Sequence, residues 1–210
     1  MNDLDLLPIL TKACQDIIAK ADAEKLKDVY VVFIYVEDEN DRMPELCLGW
    51  NTNATWKACC PRPGQESRWP IASSAGEAKW NFAFWEDDEG TPLMTYFGKE
   101  QGNQLKVDWM RANDFYVDKD LRDSDFDAYL RTLQKCSDAL WQLGADLALQ
   151  LRKETFFTDV FGHRIPILVL ECHMDDRMNE YVKMANPDGQ AEDLDSWTAI
   201  DPYTGEIYKH

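Results

Sequence analysis

The sequence has no apolar run close to the roughly 20 residues that a membrane-spanning helix requires. Its first five residues, Met1 to Asp5, include two acidic side chains, whereas a signal peptide begins with a basic segment. Both absences argue against insertion into a membrane and against export. We therefore expect a protein that stays in the cytoplasm and has no membrane partner.

The familiar catalytic signatures are missing as well. The sequence contains no P-loop, no G-x-G-x-x-G, no H-E-x-x-H, no G-x-S-x-G and no protein-kinase motif. Histidine, the residue that most often serves as acid–base catalyst and metal ligand, occurs only at positions 163, 173 and 210. The sequence thus predicts no metal and no cofactor, and it favours a protein that is not an enzyme.

None of the six cysteines forms a C-x-x-C pair, which is typical of zinc ribbons and thioredoxin-type sites. A chain of this size also needs no disulfides for stability, so we expect reduced structural cysteines. Cys14 and Cys136 fall on the apolar faces of predicted helices, where free thiols are commonly buried. Cys59 and Cys60 precede Pro61 in a predicted loop, and we expect this pair to be exposed.

Basic residues are few: 22 Lys and Arg stand against 39 Asp and Glu, which gives a formal net charge of -17. Such a charge repels nucleic acids and anionic membranes, and it accelerates encounters with cationic proteins. We therefore expect no nucleic-acid partner. Two interpretations of the charge remain, which are solubility alone and a surface that binds a basic protein.

Apolar residues, by contrast, are abundant enough to form a core. They make up 45% of the 210 residues, and no change in composition marks a linker between two domains. We predict a single domain over residues 1–210, with a core at about 4–187 and a C-terminal extension at 188–210.

The clearest element is a long amphipathic helix from Ser124 to Lys153. Apolar residues recur there at steps of three and four positions, as in Phe126, Leu130 and Leu133. Ser124 and Asp127 have the spacing of a capping box, so we expect the helix to begin at Ser124. An unbroken helix of this length would cross a whole small domain.

A coarse secondary structure follows from the same patterns. We predict a first helix at about 3–22, a short helix around Leu105 and Trp109, a helix at 175–185, and strands at 29–36, 45–50, 80–85 and 165–172. The charged segment 37–42 predicts a hairpin turn between the first two strands. Together these elements predict an α+β fold, with a mainly antiparallel sheet and two long helices packed on one of its faces.

Acidic turns lie beside several tryptophans, and this combination is typical of a surface that binds a basic protein. Carboxylates in the turns would steer the encounter, and an exposed indole would anchor the partner. The predicted partner-binding residues are Glu37, Asp38, Glu39, Trp50, Trp85, Glu86, Asp87, Asp88 and Glu89. A calcium loop is not indicated, because none of these clusters has its ligand spacing.

A different hypothesis makes the protein a metal-assisted hydrolase or another small enzyme. His173 and Asp175 follow a predicted strand, and Glu171 points to the same side as His173 because strand residues two positions apart share a face. A cluster of imidazole and carboxylate groups is a candidate metal or acid–base site. The ordinary interpretation of these residues is a solvated strand end.

Several short motifs resemble a known family. They are Gly49-Trp50-Asn51-Thr52, Glu77-Ala78-Lys79-Trp80, Phe161-Gly162 after the long helix, and Ala185-Asn186-Pro187. In this order they resemble the bacterial domain-of-unknown-function family numbered 4303, over about residues 4 to 190. The resemblance implies no catalytic residues. Small cytoplasmic families of this kind are similar to the immunity proteins encoded beside polymorphic toxins, which implies binding of a toxin domain.

Overall fold

The computed structural model describes residues 4–38, 44–62, 70–85, 90–117, 120–153, 155–171 and 176–190. The described helices are α1 (Leu7–Lys20), α2 (Ala23–Leu26), α3 (Asn53–Cys59), α4 (Ala75–Trp80), α5 (Lys99–Ala112), α6 (Leu121–Ser124), α7 (Phe126–Lys153), α8 (Thr155–Phe161) and α9 (Asp176–Ala185). The strands are β1 (Val29–Glu37), β2 (Glu45–Thr52), β3 (Thr91–Pro92) and β4 (Ile167–Leu170). The fold is therefore α+β, as the sequence predicts.

The four described strands form one sheet in the order β3-β2-β1-β4. The predicted pairing of β1 with β2 is confirmed, because the two strands run antiparallel with Val36 opposite Leu46. β3 pairs antiparallel with β2, whereas β4 lies parallel to β1, with Ile34 opposite Val169. The sheet is mixed because the chain between β1 and β4 is long and includes several helices, which allows a parallel pairing that a short turn does not.

The prediction of a strand at 80–85 is wrong. Residues 75–80 form α4, whose start is capped by the Ser74 hydroxyl accepting a hydrogen bond from the Glu77 amide (3.0 Å). A short 3-10 turn, Phe82–Phe84, follows, and Asn81 Oδ1 caps it through the Ala83 amide (3.0 Å). These local hydrogen bonds decide the conformation, and the alternation of large and small residues does not create a strand.

The long helix α7 is confirmed, but it begins later than predicted. Ser124 ends the short helix α6, and Asp125 Oδ1 accepts a hydrogen bond from the Ala128 amide (2.9 Å) at the start of α7. α7 then continues without interruption through Gly144. A Cβ at Gly144 would lie 3.1 Å from Val169 Cγ1, so the absent side chain lets the helix lie close to the sheet.

The two faces of the sheet are covered by different elements. α7 lies on the face that carries Ile34, Leu46 and Val169, and α1 and α9 pack against α7. The opposite face carries Phe33, whose ring lies 5.1 Å from that of Trp85. The expectation of helices on one face is therefore incomplete, because the segment after α4 covers the other.

Other boundaries differ modestly from the prediction. α1 is shorter than 3–22, and β4 is shorter than 165–172; residues 1–3 and 172–175 lie outside the described residues. α5 is a full helix of 14 residues where only a short one was expected. No helix in the described parts of the chain is both long enough and apolar enough to cross a membrane.

Candidate functional site

The predicted acidic residues are only partly described. Glu37 is exposed at the end of β1, directly across from Glu45 of β2. Asp38 is half-buried and accepts a hydrogen bond from the Ser137 hydroxyl of α7. Glu39 and the turn Glu86, Asp87, Asp88 and Glu89 lie outside the described residues. Of this set, the structure thus places Glu37 at the surface and ties Asp38 to the long helix.

The two predicted tryptophan anchors have different environments. Trp50 is half-buried in β2, opposite Val32. Trp85 is 6% exposed, packs on Phe33, and donates its indole N–H to the Lys79 carbonyl (3.2 Å). Trp85 therefore fills the core, and its side chain is not accessible to a partner in this structure.

Tyr30 of β1 lies at the centre of an aromatic cluster whose other members, Trp56 and Trp80, come from the tryptophan-rich segment between positions 50 and 85. Its hydroxyl donates to the Lys79 carbonyl and accepts from Asn51 Nδ2 (3.0 Å). Its ring lies 5.8 Å from Trp56 and 6.1 Å from Trp80. Burial raises the pKa of Tyr30, so the hydroxyl stays protonated. Because the Tyr30 hydroxyl already has both a hydrogen-bond acceptor and a donor, we interpret this cluster as part of the core on the sheet face that carries Phe33.

Of the residues in the enzyme hypothesis, the structure describes only Glu171. His173 and Asp175 lie outside the described residues, and Glu171 is half-buried beside them in sequence. His163 is exposed after α8. Within the described residues, no three His, Cys, Asp or Glu side chains are placed to hold a metal ion.

The cysteines that the structure describes form no disulfides. Cys14 and Cys136 are buried, as predicted, and burial raises the pKa of Cys136 to about 11, with the Asp38 carboxylate adding to the effect. Cys59 is buried too, and its thiol donates to the Phe84 carbonyl (3.3 Å), so the expectation that it is exposed is wrong. Burial also raises the pKa of the half-buried Cys60. Cys172 lies outside the described residues.

A polar clip fastens the end of α9 to the rest of the fold. The buried side chain of Asn186 accepts from the Ile167 amide (3.0 Å) and donates to its carbonyl (2.7 Å), so it pairs with β4 as a strand residue would. Arg152 of α7 donates to Asn186 and to Asp188, and Arg164 donates to the other oxygen of Asp188 (2.7 Å). Burial opposes ionisation of Asp188, but its own backbone amide and the two guanidinium groups lower its pKa overall.

A groove of about 600 Å³ lies where α1, α5 and the segment before α5 meet. Its apolar surface comes from Ile9 of α1, Phe97 of the connecting segment and Leu105 of α5, whereas Met94, which also lines it, is only 2% exposed. Phe97 is 46% exposed, which is unusual for so large an apolar side chain. This volume falls within the range of ligand and partner pockets.

Gly102 allows the connecting segment to lie directly against α5. A Cβ at this position would lie 2.4 Å from the Met94 carbonyl oxygen and 2.5 Å from Thr95 Cα. Gly98, at φ 139°, precedes the first residue of α5 and adopts a conformation that other residues rarely take. The two glycines thus determine how Phe97 is presented at the groove.

A buried ion pair joins α5, which lines the groove, to strand β2. Lys106 of α5 contacts Glu45 of β2 with an Nζ–Oε2 distance of 2.8 Å, and both side chains are buried. Glu45 Oε1 also accepts a hydrogen bond from the Met94 amide (2.8 Å), and Oε2 accepts one from the Thr95 hydroxyl (3.3 Å). A buried charge is tolerated only with such partners. The pair therefore fastens α5 and the Met94 segment to the sheet.

The polar rim of the groove is acidic. Glu100 and Asp108 line it from α5, and Asp108 accepts a hydrogen bond from Gln104 (2.8 Å). No lysine or arginine is found among the described residues that line the groove. An apolar surface with two carboxylates at its edge favours a ligand that is both apolar and cationic.

Sequence reasoning missed this groove, although one of its walls has a recognisable signal. Glu100, Gln104 and Asp108 recur every four residues, which places them along one side of a helix, and Leu105 lies next to them. The other wall is Ile9, which is about 90 positions away in the chain. No local pattern connects residues so far apart.

The motif residues that suggest a family have structural roles in this fold. Asn51 donates a hydrogen bond to Tyr30, and Trp80 packs against the Tyr30 ring. Asn186 forms hydrogen bonds with the backbone of Ile167 at the edge of β4. Comparison of the chain with protein-family models, with curated proteins and with solved structures found no match. The resemblance to family 4303 therefore stays a prediction.

Proposed function

We propose that this protein is a non-enzymatic binding protein, an immunity protein that neutralises a basic toxin domain by direct contact in the cytoplasm. The observation that carries the proposal is the groove between α1 and α5, which combines an apolar surface with two rim carboxylates. The net charge of -17 gives the same preference for a cationic partner at long range.

The groove offers the two parts that a protein interface needs. Ile9, Phe97 and Leu105 supply apolar side chains that are still partly exposed, and a partner that covers them removes apolar surface from water. Glu100 and Asp108 at the rim attract basic residues of the partner and repel acidic ones. Glu37 and Asp38 add to the negative field from the end of β1, and the acidic segment 86–89 adds to it by its composition.

The proposal is tested by capture of the partner with a groove variant. We expect the tagged protein to retain one basic protein in stoichiometric amount from lysate of its native host at low salt and, less strongly, at physiological salt. In Glu100→Lys/Asp108→Lys the captured amount should fall at least about tenfold, since two attractive charges become repulsive at the rim. Quantitative mass spectrometry measures both amounts.

The matched control is Asp159→Lys/Glu180→Lys, which changes the net charge equally on α8 and α9, elements that do not line the groove. Both carboxylates are exposed, and neither pairs with a described residue. The control should capture the partner nearly as the unmodified protein does. An equal loss in both variants would show that only net charge matters, and the proposed function of the groove would then be rejected.

A further inference from the structure

The described edges of the sheet are partly covered, which disfavours the addition of a partner strand. β3 covers one side of β2 and is only two residues long, ending at Pro92. Beyond β3, Gly49, Asn51 and Thr52 of β2 are buried. At the opposite edge, the Asn186 amide occupies the N–H and the carbonyl of Ile167. The short β3 and the occupied Ile167 therefore leave little described backbone for strand addition, a common mode of peptide recognition.

The groove has dimensions that suit a helix instead. Glu100 and Asp108 are eight residues apart on α5, which corresponds to about 12 Å along the helix axis. Leu105 lies between them on α5, and the exposed Phe97 lines the same groove. The surface is thus an apolar patch about two helical turns long with one carboxylate near each end.

A helix that matches this surface has a definite pattern. Two residues seven positions apart lie on the same face of a helix and are separated by about 10.5 Å along its axis. The positions three and four residues after the first one lie between them on that face. Basic side chains are long enough to bridge the small difference in spacing. In an extended segment the same separation would span only about three to four residues.

We infer, on the basis of the proposed function, that the groove binds an amphipathic α-helix of the basic partner. This helix carries two Lys or Arg residues seven positions apart, which pair with Glu100 and Asp108. Its apolar residues at the third and fourth positions between them pack on Phe97 and Leu105. The groove is therefore selective for the arrangement of charge on the partner, and not only for its amount.

The test uses two synthetic helical peptides of about 18 residues with identical composition. The matched peptide has two lysines seven positions apart and two leucines between them on the same face. In the isomer, the lysines lie on the face opposite to the leucines. Binding of each fluorescein-labelled peptide to the full chain is measured by anisotropy at low salt. We expect the matched peptide to bind about three- to tenfold more tightly, because only it forms both rim ion pairs.

Exchanging the charges of the rim carboxylates and of the peptide lysines tests whether the peptide binds through Glu100 and Asp108. Glu100→Lys/Asp108→Lys should abolish the preference for the matched peptide, and replacing both lysines of that peptide with glutamates should restore it. Asp159→Lys/Glu180→Lys should keep the original preference, because those positions lie on α8 and α9. Equal binding of the two peptides to the unmodified protein, or no detectable binding of the matched peptide at millimolar concentration, would overturn the inference.

The inference of a bound helix and the proposed function can be rejected independently. Groove-dependent capture of a basic protein together with equal binding of both peptides would reject the helix and leave the proposed function standing. A peptide preference without groove-dependent capture would reject the proposed function, since a groove that the partner does not use cannot neutralise it.

Discussion

Gly49 is the residue whose replacement has the most direct structural consequence. It lies opposite Phe33 in the β1–β2 pair, and a Cβ at Gly49 would lie 2.1 Å from Phe33 Cζ. Phe33 is fully buried and packs on Trp85, so its ring has no free space into which to move. We expect Gly49→Ala to lower the free energy of unfolding by about 1–3 kcal/mol, measured by urea denaturation.

A second substitution separates overpacking from an effect on strand propensity. Phe33→Leu removes the ring atoms that the new methyl group would contact. In the double variant, Gly49→Ala should therefore cost less than it does in the presence of Phe33, which a double-mutant cycle measures. If the two costs simply add, the close approach of Gly49 to the ring is not what matters.

At the scale of elements, the clip between α7, Arg164 and the end of α9 makes stability depend on pH. The pKa of Asp188 lies below its ordinary value of 3.8 in the folded protein. A carboxyl group with a lowered folded pKa stabilises the fold above its unfolded pKa, and this contribution is lost as the pH falls through the folded pKa. Asp188→Asn should therefore lower Tm at pH 7, and the difference from the unmodified protein should shrink between about pH 5 and pH 2.

Asp159→Asn is the matched control for this prediction. It removes the same charge from an exposed position that makes no ion pair with a described residue. Its Tm should follow that of the unmodified protein across the pH range. A difference between Asp188→Asn and the unmodified protein that stays constant down to pH 2 would contradict the assigned role of the charge.

Local patterns predict some of these elements well and others poorly. α7 was predicted from a long apolar pattern with one consistent period, and β1 from a continuous run of β-branched and aromatic residues, with β2 as its partner across a charged turn. The segment 80–85 was wrongly predicted to be a strand, because six residues can match the strand period by chance. In the structure, Ser74 and Asn81 cap α4 and the following turn, and Ser74 does so through the Glu77 amide. Short aromatic segments are decided by such hydrogen bonds and by where the rings pack.

At the scale of the whole molecule, the net charge of -17 produces self-repulsion in the folded state. Salt screens it, because the Debye length falls from about 30 Å at 0.01 M to about 8 Å at 0.15 M. We expect Tm at pH 7 to rise by about 2–4 °C over this range, a shift that corresponds to about 1 kcal/mol for a chain of this size. Differential scanning calorimetry measures it.

The same salt series near pH 4.5 is the control, because the sequence pI is about 4.5. With little net charge to screen, the rise in Tm should largely disappear there. A fall in Tm on adding salt at pH 7 would instead mean that favourable exposed ion pairs, such as Lys27 with Glu24, outweigh the repulsion.

The sequence by itself determined the α+β class, the long helix, the central hairpin and the strongly acidic composition. These properties depend on periodicity and composition, which are present in every local window. Only the tertiary structure decided the parallel pairing of β4, the burial of Trp85 and the groove between α1 and α5. Each of those joins segments far apart in the chain, as Ile9 and Leu105 do, and their meeting depends on how the whole core packs.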